Sequence, residues 1–318
     1  MEDPVIIDLP QTSTSGISQR LVRLRNEHGA MALGRVMTLV LVVDEDSAED
    51  AIASTIKASY MHPCRVIAVV FGNRRGKARL DGQIRVGGDA GAAEVIVARL
   101  YGELVDHGAS VVTPLLLADS PIVGWWPIAP PLDTALTPIG RLCQRRITDS
   151  AAAKNPSAEI ARRADNYHDG DTDLAWSRIT SWRGVLAAAL DQPPFDKITG
   201  VTVRGGSDSP STDLLAAWLA DRLKVSAIRE RTPAGTGLMR VCLERPSGAM
   251  VLDRPMHSTR ATLTHPLQPD RRIALPRRND AECLADELRH LDSDEIYEAA
   301  LKHGLPRITS IRAPRSGN

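Results

Sequence analysis

Apolar positions fall into two periods over the first seventy residues. Ile17, Leu21 and Leu24 recur at helical steps with arginines opposite, which predicts an amphipathic helix over 15–28 that Gly29 would end. Over 35–44 the apolar run is nearly continuous, from Val36 through Leu39, Val40, Leu41, Val42 and Val43. Such a run suits a strand covered on both faces. Ser47 and Asp50 open a helix with Ile52 and Ile56 inward, and His62-Pro63 closes it before a β-branched strand over 64–71. Strand, helix and strand at this spacing form a βαβ unit. Further strands are predicted at 80–86, 94–100, 110–117 and 122–126, some pairing antiparallel at the sheet edge, and a helix over 139–146. The expectation is α/β: an N-terminal, mostly parallel three-layer α/β domain over 1–168. It contains a proline-rich connector at 127–138 and a helical linker at 150–170.

The pattern then restarts. Asp171, Thr172 and Asp173 are helix-start residues, and Ile179, Trp182, Leu186, Ala189 and Leu190 mark one helical face. Asp191-Gln192-Pro193-Pro194 ends it. A strand at 198–204 is followed by Ser209-Pro210, a cap with proline at the first helical position, and then Leu215, Leu219 and Leu223 on one side. Short apolar runs at 227–231, 238–245, 249–253, 261–265 and 272–275, with a turn at Ser247-Gly248, predict an antiparallel meander. Closing helices are expected at 279–290, capped by Asn279, and 293–303, capped by Ser293. Residues 169–318 thus read as a C-terminal α+β domain.

A length of 318 residues suits two domains. Lys plus Arg and Asp plus Glu both number 39, and this balance argues against a nucleic-acid partner. Met1-Glu2-Asp3-Pro4 carries no positively charged, apolar leader, and the longest apolar run is far short of the roughly 20 residues of a membrane helix. Cys64, Cys143, Cys242 and Cys283 lie far apart, as small buried hydrophobes of a reduced cytoplasm would. A cytoplasmic location without membrane attachment, metal or cofactor is the expectation.

Candidate chemistry is sparse. Gly87-Gly88-Asp89-Ala90-Gly91 could cradle a phosphate, as in a nucleotide- or sugar-phosphate-binding α/β enzyme, but it leads into a strand rather than a helix. Asp171 and Asp173 suit an acid/base pair or helix capping. Trp176 and Trp182 lie among Arg178 and Arg183, residue types that anchor interfaces and equally suit a core helix with arginines reaching outward. Trp125 and Trp126, adjacent on a strand, must face opposite ways. One can be core; the other needs the second domain or a partner to cover it.

Several stretches in order along the chain carry a resemblance. They are Gly34-Arg35-Val36, His62-Pro63-Cys64-Arg65-Val66, Leu80-Asp81-Gly82-Gln83-Ile84-Arg85-Val86 through Gly91, and Pro121-Ile122-Val123-Gly124-Trp125-Trp126-Pro127. Arg145-Arg146-Ile147-Thr148-Asp149 follows, then Gly170 through Arg178 to Pro194, and Glu282-Cys283-Leu284-Ala285 through Tyr297. The chain resembles the glucose-6-phosphate dehydrogenase assembly protein family (OpcA) in its actinobacterial form. The resemblance implies a non-catalytic partner that forms a hetero-oligomer with that NADP-dependent dehydrogenase, or activates it allosterically, at the opening of the oxidative pentose phosphate pathway. Under that reading Trp125, Trp126, Asp171, Asp173, Trp176, Arg178, Trp182 and Arg183 are the candidate partner contacts. The cyanobacterial branch is thought to sense redox state through cysteines, and no close cysteine pair stands here to do so.

Overall fold

The computed structural model describes residues 5–27, 36–86 and 94–313. Gly29, Gly34-Arg35 and the Gly87–Gly91 loop lie outside the described residues. Two compact units form. One comprises Met1–Asp149, His168–Thr172 and Asp280–Ser293; the other comprises Ser150–Tyr167, Asp173–Asn279 and Asp294–Asn318.

In the first unit the strands are β1 (Val5–Leu9), β2 (Thr38–Asp44), β3 (Arg65–Phe71), β4 (Arg79–Val86), β5 (Glu94–Tyr101), β6 (Ile122–Trp126), β7 (Arg145–Thr148) and β8 (Asp171–Asp173). They lie in the order β1-β4-β5-β3-β2-β6-β7-β8. The inner pairs from β5 to β7 are parallel, while β1 and β4 form an antiparallel edge. Val40, Val42, Ile67 and Val69 turn one face toward Ile17, Leu21 and Leu24 of the Thr14–Glu27 helix. Leu39, Leu41, Val66 and Ala68, on the opposite face, are equally buried, and the Ala48–Ser59 helix packs on β2 and β3. Burial on both faces is why these strands read as continuous apolar runs.

Two predicted elements change type. Residues 110–117 are helical turns, Gly108–Val112 followed by Thr113–Leu115, and not a strand. Val111, Val112 and Leu115 reach the core at helical steps, and Thr113 Oγ1 donates to the Ala109 carbonyl at 2.8 Å. Residues 139–146 make one turn, Gly140–Leu142, and then enter β7 instead of continuing as a helix. The open edge of β6 recruits that segment in parallel register, Val123 opposite Arg145. The two arginines of β7 are buried there because each finds a carboxylate: Arg145 meets Glu287 at 2.5 Å and Arg146 meets Asp171 at 2.5 Å. Glu287 sits on the Asp280–Arg289 helix, late in sequence, which packs against Ala48–Ser59 in this first unit.

The second unit holds β9 (Gly200–Gly206), β10 (Ala227–Thr232), β11 (Leu238–Glu244), β12 (Met250–Asp253), β13 (Arg260–Thr264), β14 (Arg271–Ala274) and β15 (Ile308–Arg312). Their order is β14-β13-β12-β11-β9-β10-β15. The meander from β11 to β14 is antiparallel, as its turns predict. The strand at 227–231 does not belong to it. The Pro210–Leu223 helix crosses from β9 to β10, so those strands run parallel, and β15 adds a further parallel strand. Asp294, one residue after the expected Ser293, caps the last helix by accepting from the Ile296 and Tyr297 amides at 3.0 and 2.9 Å. Among the described residues no helix is long and apolar enough to cross a membrane.

None of the four cysteines is in a disulfide; Cys64, Cys143 and Cys283 are buried and Cys242 is half-buried. Burial pushes the Cys143 thiol up to about 12, against a smaller pull from Arg146, and burial raises Cys242 as well. Because the thiolate is the reactive form, the folded chain at mildly alkaline pH is expected to take up an alkylating reagent slowly. The unfolded chain should take it at all four positions. Mass spectrometry of pulse-labelled peptides reads this directly, and fast labelling of Cys143 in the folded state would refute it.

Candidate functional site

The stretch around the paired tryptophans builds the core of the second unit. Asp173 caps the short Leu174–Ser177 helix, accepting from the Ala175 amide at 2.9 Å. It also accepts from the Ser150 amide at 2.9 Å and hydroxyl at 2.6 Å. The chain kinks at Arg178-Ile179 and resumes as the Thr180–Leu190 helix, so one expected helix is two. Trp176 and Trp182 are 1% and 2% exposed and lie in the same apolar cluster as Leu186, Val203, Leu215 and Leu243. The Trp176 indole N–H donates to Asp294 at 2.7 Å, and the Arg183 guanidinium stacks 3.7 Å over its ring. Asp171 is held by Arg146 and accepts from the His168 amide at 2.9 Å; burial still pushes its carboxyl up.

On β6, Trp126 faces the cluster shared with Val40 and Val42, while Trp125 aligns with Leu41. Both are buried. The Trp125 indole N–H has no hydrogen-bond partner among the described residues. The sequence-predicted residues therefore divide. The four tryptophans and Asp173 are interior; Arg178, Arg183 and Asp171 keep a partly exposed edge.

Arg178 and Trp182 meet again as part of a groove in the second unit, about 310 Å³ in volume. The other walls come from segments far apart in sequence: Ser209–Ser211, the Gly235–Gly237 turn, Arg254, Arg277 and Arg278. Ser209 caps the 14-residue Pro210–Leu223 helix, its hydroxyl accepting from the Thr212 amide, so the positive end of that helix opens on the groove. The helix follows β9, which ends in Gly205-Gly206, after a short turn at Ser207-Asp208. A Cβ at Gly205 would stand 2.5 Å from the Gly237 carbonyl, so glycine is what lets the end of β9 touch the Gly235–Gly237 turn. Four lining residues are arginine and one, Asp208, is acidic. Both Asp208 oxygens accept from the Gly235 amide, at 3.0 and 2.9 Å.

Arg254 is 4% exposed and lies 5.0 Å over the Trp182 ring. It donates to the Leu275 and Leu238 carbonyls, both at 2.9 Å, and its Nε has no partner among the described residues. Burial, with the Arg277 charge beside it, pulls its guanidinium down to about 10. The sequence pattern singles out neither Arg254 nor Arg277. The legible signal was Ser209-Pro210 after a glycine pair; the cations around it arrive only through the fold.

A second hollow, about 350 Å³, opens in the first unit at the C-terminal ends of β2, β3 and β6, lined by Val43, Asp44, Phe71, Trp126, Ile128 and Pro138. The strand order reverses between β2 and β6, the place where open parallel sheets bind ligands. Its walls are mainly apolar, with Asp44 and the Arg74–Asp106 pair, 2.7 Å apart, among them. Among the described residues no three metal-ligating side chains converge either.

A family model described as the glucose-6-phosphate dehydrogenase subunit N-terminal domain matches residues 55–165, and one described as the corresponding C-terminal domain matches residues 169–301. A relative from Nostoc punctiforme, named an OxPP cycle protein OpcA, is 25% identical over 242 residues, 71% of this chain and 51% of the relative. Relatives of the same name come from Synechococcus elongatus, 25% identical over 58% of this chain and 45% of the relative, and Synechocystis, 27% identical over 41% and 29%. The chain spans about half, or less, of the length of these relatives.

Proposed function

The chain belongs to the glucose-6-phosphate dehydrogenase assembly protein family, OpcA, and on that premise we propose that it assembles with the dehydrogenase and activates it allosterically in the oxidative pentose phosphate pathway. It does so as a non-catalytic partner. The observation that carries this reading is the pair of matches, both described for that dehydrogenase, which follow one another through 55–165 and 169–301.

A stable complex of ordinary size buries about 1,600 Å² in total. The contact residues we assign are those with an accessible edge, Arg178, Arg183 and Asp171. Trp176 acts beneath Arg183 by fixing where its guanidinium stands. Activation requires tighter binding to the active conformation of the enzyme than to the inactive one. A coupling of roughly 1–3 kcal/mol corresponds to about a 5- to 150-fold change in substrate affinity. Coupling is reciprocal, so substrate should tighten the complex by the same factor.

The test mixes the purified chain with the dehydrogenase of the same organism, follows the mixture on a sizing column and measures its kinetics. Co-elution with a changed substrate KM or kcat is expected. Co-elution with unchanged kinetics would leave a scaffold and remove the activator. Separate elution at micromolar concentrations, or turnover of the sugar phosphate by the chain alone, would remove the reading.

A further inference from the structure

We propose that the arginine-lined groove of the second unit is a binding site for the phosphate group of a small phosphorylated metabolite. This concerns the isolated chain and does not depend on its enzyme partner.

Among the described residues five other buried arginines meet carboxylates: Arg65 with Glu94 at 2.7 Å, Arg145 with Glu287, Arg146 with Asp171, Arg163 with Glu159 at 2.9 Å, and Arg229 with Asp213 at 2.7 Å. Buried Arg245 is held by the Pro194 carbonyl and His265 instead. Arg254 is as buried as they are, yet among the described residues it has two carbonyl acceptors and no carboxylate within ion-pair distance. Its nearest charged influence is a second cation, Arg277. A buried charge without a counter-ion is costly, and a bound anion would supply one. The chain as a whole is neutral, so this concentration of positive charge is local.

The groove's shape selects the kind of anion. The Pro210–Leu223 helix start, behind Gly205-Gly206, turns its positive end to the opening, and helix ends of that polarity favour phosphates. Arg277 reaches across the Gly235–Gly237 turn, where both glycines have positive φ, 80° and 63°. A Cβ at Gly237 would stand 2.1 Å from Arg277 Nη1, so that position must be glycine for the guanidinium to lie there. Arginine forks facing a helix start match phosphate oxygens better than a single carboxylate. A volume near 310 Å³ holds a small molecule and excludes a nucleic-acid duplex.

Isothermal titration of the full chain with inorganic phosphate, a hexose phosphate, a nucleoside monophosphate, the neutral hexose and an oligoglutamate peptide tests the proposal. Saturable binding of at least one phosphate probe is expected, with none for the hexose, and that probe should raise the melting temperature. Arg277→Gln alters an exposed side chain with one main-chain bond, to the Thr236 carbonyl, and should weaken binding about tenfold or more at an unchanged melting temperature. Arg271→Gln, on β14 outside the groove lining, should bind as the parent does. The strongest of the three phosphate probes identifies the source as free phosphate, sugar phosphate or nucleotide, and each of those results supports the site. No saturable binding at millimolar phosphate probes would overturn it. So would equal binding by Arg277→Gln, or binding of the glutamate peptide alone.

Discussion

Trp182→Ala is expected to destabilise the second unit by about 3–5 kcal/mol, the range for removing a large aromatic from a packed core. Trp182 is 2% exposed and shares a cluster with residues from β9, β11 and two helices, so no neighbour can close the void without moving a strand. The Arg254 guanidinium loses its aromatic support at the same time. For a unit of this size the loss corresponds to a fall in melting temperature of roughly 6–20 °C. Arg183→Ala makes the contrast. It removes a guanidinium stacked on Trp176 at the surface, worth about 0.5–1 kcal/mol at a partly exposed site, while leaving the core filled. Urea unfolding followed by circular dichroism separates the two variants. A loss below about 1 kcal/mol for Trp182→Ala, with an unchanged slope, would mean that the ring is not in the core.

The part of the fold that was legible is the part whose burial is regular. The β2 and β3 runs announced a sheet covered on both faces, and Ile179, Trp182, Leu186 and Ala189 fell on one buried stripe as spaced. Legibility failed where two periods suit the same residues. Ser110-Val111-Val112-Thr113-Pro114-Leu115 offers β-branched side chains to a strand and i, i+3 and i+4 contacts to a helix, and only the core it meets decides. It failed again at Arg145-Arg146, because charges enter a central strand only when their partners are known. Those partners lie 142 and 25 residues away.

The groove shows the same division. Ser209-Pro210 announces a helix start, and the structure has one there. Nothing local distinguishes Arg254 or Arg277 from solvated arginines, since a missing counter-ion is a property of three-dimensional surroundings. The tryptophans are open to two readings in the same way. Their proximity to Arg178 and Arg183 in sequence suits an interface anchor as well as a core helix with arginines reaching outward; in the structure the rings are buried, one arginine stacks on a buried ring and the other borders the groove.

Asp213→Ala is expected to cost about 3–5 kcal/mol, because it strands a buried cation. Arg229 is 1% exposed and donates through Nε to Asp213 at 2.7 Å. Its other nitrogens hold the Gly205 and Gly206 carbonyls at 2.9 and 2.6 Å, at the end of β9 where the chain turns into the groove. Burial already pulls this guanidinium below its ordinary value against the opposing pull of Asp213, so losing that carboxylate removes most of what offsets the penalty, leaving a smaller pull from Asp208. The double variant Asp213→Leu with Arg229→Met removes both charges and should recover most of the stability, as apolar replacements of buried pairs do. It cannot recover the hydrogen bonds to the glycine pair. Phosphate binding at the groove should therefore stay weakened in the double variant even where the urea midpoint returns. Restoration of both together would mean that Arg229 only stabilises the unit and does not shape the turn before Ser209.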